Sequence, residues 1–180
     1  MCIRDSIKTI VAAQQSYAVA VSIVETVPVA ELIDDALRMS AGLLARQEVT
    51  VVKNIADLPL LPLDRHRMLL ILVNLINNAK QALDGVIDRS RCVTFGASLA
   101  DGAVLRITVA DNGNGIAPEH LARIFSHGFT TRKDGHGFGL HSCALAAQEM
   151  GGSLSVRSDG AGQGATFVLD IPLDAPPSKR

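Results

Sequence analysis

The amino-acid sequence lacks a marked excess of charge of either sign. Its 17 lysine and arginine residues nearly balance its 18 aspartate and glutamate residues, and the formal net charge at pH 7 is -1. A protein that binds nucleic acid or an anionic membrane over a broad surface carries many more cations than anions. The composition therefore predicts a protein that does not bind nucleic acid, and any anion that it binds must be held by local geometry.

Cysteines are scarce, and long apolar runs are missing. The three cysteines, Cys2, Cys92 and Cys143, have spacings typical of neither a disulfide framework nor a metal site, which predicts reduced thiols in a cytoplasm. No apolar run approaches the roughly 18 residues of a membrane span, and no export signal opens the chain. We therefore expect a cytoplasmic location, with an inner-membrane anchor left open for a longer parent protein.

Hydrophobic periodicity predicts an α/β (α+β) two-layer sandwich, with helices on one face of a mixed, mostly antiparallel sheet. The 180 residues, 48% of them hydrophobic, suffice for one globular domain of about 150 residues and a short appendage. Pro59 and Pro62 predict a loop, and Asp64 a helix cap. The predicted helices span residues 7–21, 28–46, 64–83, 118–125 and 140–150, and the predicted strands span residues 24–27, 49–53, 93–99, 104–110, 153–158 and 166–171.

A row of amides marks the helix over residues 64–83. Asn74, Asn78 and Gln81 share one face, while the apolar stripe occupies another. Asparagine lowers helix propensity, and amide oxygens suit a magnesium ion that carries nucleotide phosphates. The alternative is a solvated polar face. Lys80 projects about 200° from Asn78, together with Asn77 and Asp84, and is expected in solvent.

Asp111 follows a predicted strand and precedes Asn112 and Gly113. It is either an ordinary turn aspartate or a carboxylate that accepts a hydrogen bond from the exocyclic amine of adenine. In the second case, Gly113 and Gly115 would let the backbone pass under the base without a Cβ in the way. The hydrogen bond would discriminate against guanine, which offers no amine at that place.

Residues 112–139 form a glycine-containing stretch with little periodicity, which favours a functional lid. The run from Gly135 to Gly139 precedes a helix, so backbone N–H groups and the positive end of the helix dipole face the loop. It is not a Walker loop, because no Gly-Lys-Ser/Thr follows. His127, His136 and His141 lack a cysteine or carboxylate at helical spacing, which argues against a zinc site.

Taken in order, five motifs resemble the boxes of sensor histidine kinases. They are the N-box at residues 74–82, the first glycine box at 111–115, the F-box at 125–131, the second glycine box at 135–139 and the last glycine box at 162–166. The resemblance covers roughly residues 28–173. It implies that residues 1–27 are the end of a dimerisation hairpin and that residues 28–174 are the ATP-binding catalytic domain. The polar, proline-containing residues 175–180 are expected to be a disordered tail.

The resemblance also implies roles for individual residues. Asn78 would bind Mg²⁺, with Asn74 beside it in the catalytic row, and Asp111 would bind adenine. Gln81 stands where relatives often have a basic residue, and residues 126–128 depart from the usual lid sequence. The remaining residues implied in ATP binding are Gly113, Gly115, Phe125, Thr130, Thr131, Arg132, Lys133, Gly135, Gly137, Gly139, Leu140 and Thr166.

The expected activity is transfer of the ATP γ-phosphoryl group to a histidine. None of the five histidines lies in the first predicted helix, so the resemblance implies an upstream phosphoacceptor histidine domain, a homodimeric full-length protein and a response regulator as partner. One alternative is an ATP hydrolase of the gyrase or chaperone type, although Asn74 stands where those enzymes have a glutamate base. A nucleotide-responsive binding module without catalysis is the other.

Overall fold

The computed structural model describes residues 23–45, 48–131 and 137–173. The predicted helix over residues 7–21 and the predicted tail at 175–180 lie outside this part of the chain. The strands are β1 (Val24–Val27), β2 (Thr50–Ile55), β3 (Leu61–Asp64), β4 (Cys92–Ala100), β5 (Val104–Asp111), β6 (Ser153–Arg157) and β7 (Ala165–Pro172). The helices are α1 (Val29–Ala45), α2 (Arg65–Leu83), α3 (Pro118–Leu121) and α4 (Gly139–Glu149).

The main sheet has five strands in the order β2-β4-β5-β7-β6. The β2–β4 pair is parallel and the other three pairs are antiparallel, so the prediction of a mixed, mostly antiparallel sheet is confirmed. The turn between β4 and β5 contains Asp101 and Gly102, which both have positive φ. This turn chemistry was visible in the sequence as an Asp-Gly pair, which favours a hairpin.

The core lies between the sheet and the helices. Alternate residues of the central strands, such as Phe95, Ile107 and Leu169, are buried, whereas Thr94 and Thr108 between them face the other side of the sheet and are half-buried. Helices α1 and α4 contribute to the helical side of this core, but most of its buried residues belong to the apolar stripe of α2: Met68, Ile71, Leu72, Leu75, Ile76, Ala79 and Leu83. Each large side chain buried in this way stabilises the fold by about 1.5–3 kcal/mol.

Helix α2 is held at its start and tied to α4. The Asp64 carboxylate accepts a hydrogen bond from the Arg67 backbone N–H at 3.0 Å, as an N-cap does. The Arg67 guanidinium lies 2.6 Å from Asp64 and 3.1 Å from the Glu149 carboxylate near the end of α4. The two helices are therefore antiparallel, and the later turns of α2 lie beside the start of α4.

Two expectations about secondary structure are wrong. The segment around Pro62 is not a loop: β3 pairs antiparallel with β1 in a separate two-stranded sheet, with Pro62 opposite Thr26. Proline is tolerated there because the ribbon leaves outward-facing positions that need no N–H donor. Helix α3 ends at Leu121 rather than at residue 125. The domain boundary at residue 27 stays a prediction, although β1 itself packs against β3.

Candidate functional site

A cavity of about 950 Å³ lies between the amide face of α2, the end of β5, the segment after α3 and the start of α4. Residues from all five sequence motifs line it. The predicted site residues that line it are Asn74, Asn78, Asp111, Gly115, Thr130, Thr131, Gly137, Gly139 and Leu140. Other lining residues are Asn77, Gln81, Ala82, Asn114, Ile116, Ala117, His120, Ile124, Phe129, Phe138, Ala165 and Phe167.

Helix α2 presents four amides to this cavity: Asn74, Asn77, Asn78 and Gln81. Asn77, which helical spacing groups with Lys80 on a separate face, also lines the cavity, because the cavity extends around more of the helix than one ideal face. Lys80 lies outside the cavity lining and pairs with Asp84 at 3.7 Å, but its side chain is 23% exposed and is therefore half-buried rather than fully in solvent. The amides are neutral, and none of the described lining residues is a lysine or an arginine.

Asn74 has a defined orientation within this row. Its side-chain Nδ2 donates to the Leu70 carbonyl, one turn earlier in α2, at 2.8 Å. The Oδ1 atom lies next to the start of α4, only 3.0 Å from the point that a Cβ on Gly139 would occupy. The row therefore presents an acceptor oxygen to the same space that the N–H groups at the start of α4 reach.

Asp111 lies at the opposite end of the cavity, where β5 ends. The Gly113 N–H donates to its Oδ1 at 2.9 Å, and the backbone N–H of Ala165 donates to the same carboxylate. Burial raises the pKa of Asp111 above its ordinary value, and the two hydrogen bonds lower it in part. The bond from Gly113 is that of a turn aspartate, which one reading of the sequence predicted, and the same residue also lines the cavity.

The glycines around Asp111 serve close backbone packing. A Cβ on Gly113 would overlap the backbone of Ala82 in α2, and one on Gly115 would overlap the Gly160 carbonyl. Gly115 lines the cavity, but Gly113 does not. The space that Gly113 leaves open is therefore filled by α2, rather than by a ligand as the sequence suggested.

The neighbouring glycine loop offers a matched pair of substitutions. Gly162 and Gly164 both have positive φ, but a Cβ on Gly162 meets open space, whereas one on Gly164 would overlap the Asp111 carbonyl. Gly162→Ala is expected to lower the free energy of unfolding by about 1–2 kcal/mol, which is the cost of a left-handed alanine. Gly164→Ala should cost roughly 4 kcal/mol or more, because it adds the collision. Urea titration of both variants measures the difference, and equal losses would contradict the close packing.

Aromatic and histidine rings pack along the lid side. The His127 ring lies 4.9 Å from the Phe138 ring and 5.2 Å from the His141 ring, between centroids. His141 Nδ1 is 3.0 Å from the Phe125 carbonyl. Phe125 packs against the core and does not line the cavity. The described residues contain no group of three or more His, Cys, Asp or Glu side chains that could hold a metal ion.

Some predicted site residues lie elsewhere. Arg132, Lys133 and Gly135 fall outside the described residues. Thr166 is on β7, but its neighbours Ala165 and Phe167 line the cavity, and strand alternation directs Thr166 to the other face of the sheet.

Other lining residues are less clearly marked in the sequence. Phe129 belongs to the F-box, and its ring is 5.5 Å from the His120 ring and 5.0 Å from the Arg123 guanidinium carbon. Asn114 belongs to the first glycine box, and its N–H donates to the Ala82 carbonyl at 2.9 Å. Both could have been found from the motifs. His120 and Ala117 carry no such signal.

Two further expectations concern the state of the cysteines and the absence of a membrane span. Cys92 and Cys143 are free thiols, and burial raises the pKa of Cys143 to about 12. Cys143 is therefore a core residue. Within the described part of the chain, no helix combines the length and the apolar character needed to cross a membrane.

Comparison with known proteins places this geometry in a family. Residues 63–175 match the family described as histidine kinase-, DNA gyrase B- and HSP90-like ATPase. Sensor protein TdiS of Thauera aromatica is 32% identical over 145 residues, which are 79% of this chain and 26% of that protein. Sensor histidine kinase ZraS of Escherichia coli K12 is 39% identical over 119 residues, which are 65% of this chain and 24% of that protein.

Solved structures agree with this match. Full-length ShkA in complex with AMPPNP has a TM-score of 0.74 and 28% identity, over 88% of this chain and 34% of that chain. The catalytic domain of histidine kinase ThkA, with a TM-score of 0.71 over 84% of this chain and 96% of that chain, is 23% identical and shares the fold.

The chain spans about a quarter of the length of the curated relatives, with 26% of TdiS and 24% of ZraS covered. The family match extends over the helix with the amide row, the Asp111 loop and the lid. The chain thus belongs to the histidine kinase-, DNA gyrase B- and HSP90-like ATPase family, and it carries the ATP-binding catalytic domain of a sensor histidine kinase.

Proposed function

We propose that this domain binds ATP together with Mg²⁺ and that, in its parent protein, it transfers the γ-phosphoryl group to a histidine of an upstream dimerisation helix. The observation that carries the proposal is the pairing of an oriented carboxylate with an amide row at opposite parts of one cavity. The bound AMPPNP of the structural relative ShkA supports a nucleotide as the ligand.

Asp111 is the proposed base-binding residue. Two backbone N–H groups hold its carboxylate, so it accepts a further donor without first having to be oriented. The exocyclic amine of adenine is such a donor, whereas guanine has a carbonyl oxygen at the corresponding position. The apolar side chains of Ile116, Ile124 and Phe167 around the cavity offer surface to the ring.

The phosphate end is the proposed magnesium end. Mg²⁺ that carries a nucleotide needs only one or two protein oxygen ligands, because phosphates and water complete its octahedron. Asn78 is the proposed ligand, and the amides of Asn74 and Asn77 lie in the same row. This donor set fits the ion, since the row offers hard oxygen atoms and no nitrogen or sulfur site that would favour zinc. When bound, the ion would neutralise phosphate charge.

The lid supplies the remaining proposed contacts. Gly137, Gly139 and Leu140 lie where α4 begins, and the free N–H groups of a helix start suit phosphate oxygens. Thr130 and Thr131 face the same cavity. Arg132 and Lys133 lie outside the described residues and stay predicted partners of the γ-phosphate. The described part of the cavity lining contains no lysine or arginine that could take this role. Gly135 and Thr166 also stay predictions.

Phosphoryl transfer in this proposal depends on positioning and charge neutralisation, which supply most of the acceleration in such reactions. The acceptor histidine would come from the dimerisation hairpin of a homodimeric parent protein, and a response regulator would take the phosphoryl group onward. The sensor proteins TdiS and ZraS are the relatives that support this setting. A cytoplasmic location for the domain follows from the same proposal, since ATP is the substrate.

A hydrolase is the second candidate, because the family includes ATPases of the gyrase and chaperone type. Those enzymes need a base that activates water. Asn74 occupies the corresponding position, and its Nδ2 already donates to Leu70. An amide cannot accept a proton from water at neutral pH, so hydrolysis should be slow.

Incubation with γ-labelled ATP and Mg²⁺ distinguishes these functions. The 180-residue chain is expected to bind ATP but to incorporate no acid-labile label, because its five histidines lie within the ATP-binding region. A longer polypeptide that includes the dimerisation hairpin should become labelled on histidine. Stoichiometric histidine labelling of the short chain would contradict the proposed division of roles. Rapid phosphate release without labelling of the longer polypeptide would favour the hydrolase.

A further inference from the structure

Arg89 belongs to none of the five sequence motifs, but its side chain forms several hydrogen bonds beside the cavity. It lies in the connection between α2 and β4, and its side chain is 38% exposed. Its Nε and Nη2 donate to the Asn112 carbonyl at 3.1 and 3.0 Å, and Nη2 also lies 3.3 Å from the Gly113 carbonyl and 2.8 Å from the Gly162 carbonyl. One guanidinium therefore joins three carbonyl groups from two different loops.

These two loops form the wall around Asp111. Asn112 and Gly113 follow Asp111 directly, and the Gly113 N–H donates to the Asp111 carboxylate. Gly162 belongs to the loop that leads to Ala165, the other backbone donor to that carboxylate. The guanidinium thus holds, from behind, both segments that orient Asp111. A planar group with five donors in a fixed fork suits this task better than an ammonium group.

The connection between α2 and β4 holds the same loop through a second set of bonds. The Asn112 side chain donates to the Ser90 carbonyl at 2.7 Å and accepts from the Cys92 N–H at 2.8 Å. On the far side, the Ser158 hydroxyl donates to the Gly164 carbonyl at 2.7 Å and accepts from the Ile116 N–H at 2.9 Å. Arg89 is the charged member of this network, and its bonds run to both loops.

We propose that Arg89 is a positioning residue for the base end of the site, and that it sets adenine affinity and the preference for adenine over guanine through the orientation of Asp111. The inference rests on the proposed role of Asp111. Without the guanidinium, the three carbonyl groups form hydrogen bonds with water instead, and both loops gain conformational freedom. ATP binding must then order them again, which weakens binding without changing any group that touches the phosphates.

The test compares three ligands in calorimetry with Mg²⁺ present: ATP, GTP and inorganic tripolyphosphate. Arg89→Ala is expected to weaken ATP about ten-fold, which is the scale of one lost charge-assisted hydrogen bond, and to reduce the ATP-to-GTP affinity ratio. Binding of tripolyphosphate should not change. A residue that only stabilised the fold would shift all three ligands together, so the selective loss identifies positioning.

Arg106→Ala is the matched control. Arg106 lies on β5, as Asp111 does, and its guanidinium makes two 2.8 Å hydrogen bonds to Asp170 on β7. This variant also removes a partly exposed guanidinium, and it should leave all three affinities unchanged. Arg89→Lys keeps the charge but not the fork, so its ATP affinity should fall between those of Arg89→Ala and the unchanged chain.

Each other outcome overturns the inference or the proposal beneath it. If Arg89→Ala binds ATP as the unchanged chain does, or loses tripolyphosphate binding equally, Arg89 is not a positioning residue. If Arg89→Ala does not fold, Arg89→Lys decides, and unchanged ATP affinity in that variant overturns the inference. If Asp111→Asn also leaves ATP binding unchanged, the proposed base contact itself has failed. A loss in Asp111→Asn without one in Arg89→Ala rejects the role of Arg89 alone.

Discussion

Asn78→Ala is expected to abolish the Mg²⁺-dependent tightening of ATP binding while leaving the melting temperature without ligand nearly unchanged. The amide is half-buried and faces the cavity rather than the core, so its removal should change the free energy of unfolding by no more than about 0.5 kcal/mol. Its oxygen is the proposed ligand of the ion, and alanine offers no replacement. Calorimetry with ATP in Mg²⁺ and in EDTA measures the effect.

Asn77→Ala is the control, because Asn77 is an amide of the same helix that lines the same cavity. It should keep most of the Mg²⁺ dependence if Asn78 is the ligand. Asn74→Glu is a companion test that installs a carboxylate at the position where hydrolases of this fold have a base, and a small gain in phosphate release would support the shared geometry. If Asn78→Ala unfolds the domain and the remaining folded protein still requires Mg²⁺, the amide row is structural.

Asp111→Asn should weaken ATP binding by about 1.5–3 kcal/mol, or roughly ten-fold to more than a hundred-fold, which is the range for a hydrogen bond to a charged group. The substitution keeps the size of the side chain. However, an amide presents one acceptor and one donor to a place where the Gly113 and Ala165 N–H groups both need an acceptor. GTP should stay a poor ligand. Unchanged ATP affinity would remove Asp111 from the site.

The pH dependence of binding gives this prediction a second measurement. The pKa of Asp111 is raised by burial. As the pH falls through that raised pKa, the carboxylate becomes protonated, and the ATP affinities of the unchanged chain and of Asp111→Asn should converge. The free energy of unfolding without ATP depends on pH in the opposite direction to the ATP affinity. A raised pKa in the folded state means that the contribution of Asp111 to the free energy of unfolding is present below the unfolded pKa and is lost as the pH rises through the folded pKa.

Most features of helix α2 could be predicted from the sequence. Its cap at Asp64, its apolar stripe and its end at Leu83 were all predicted, because each depends on spacing within about twenty residues. Strand β3 was missed, because its identity comes from pairing with β1, which lies more than thirty residues earlier in the chain. Pro62 argued locally for a loop, and a distant partner decided otherwise.

The site divides in a similar way. Asp111, Asn78 and the glycines at the start of α4 were predicted from motifs and line the cavity, since their residue types are tied to their proposed chemistry. Asn77 was placed on a face separate from the amide row, because helical spacing gives a direction but not the width of a cavity. Arg89 gave no signal, because its acceptors are backbone carbonyls, and any residue type can supply a carbonyl.

The separate ribbon of β1 and β3 has a mechanical consequence. Residue 24 is opposite Asp64 in the antiparallel register, and Asp64 is also the cap of α2. A displacement of β1 would therefore act first on the start of the helix whose later turns carry the amide row. Arg67 contacts both Asp64 and Glu149, so it links the start of α2 to the end of α4. A displacement of β1 would therefore reach the two helices that border the cavity, α2 and α4.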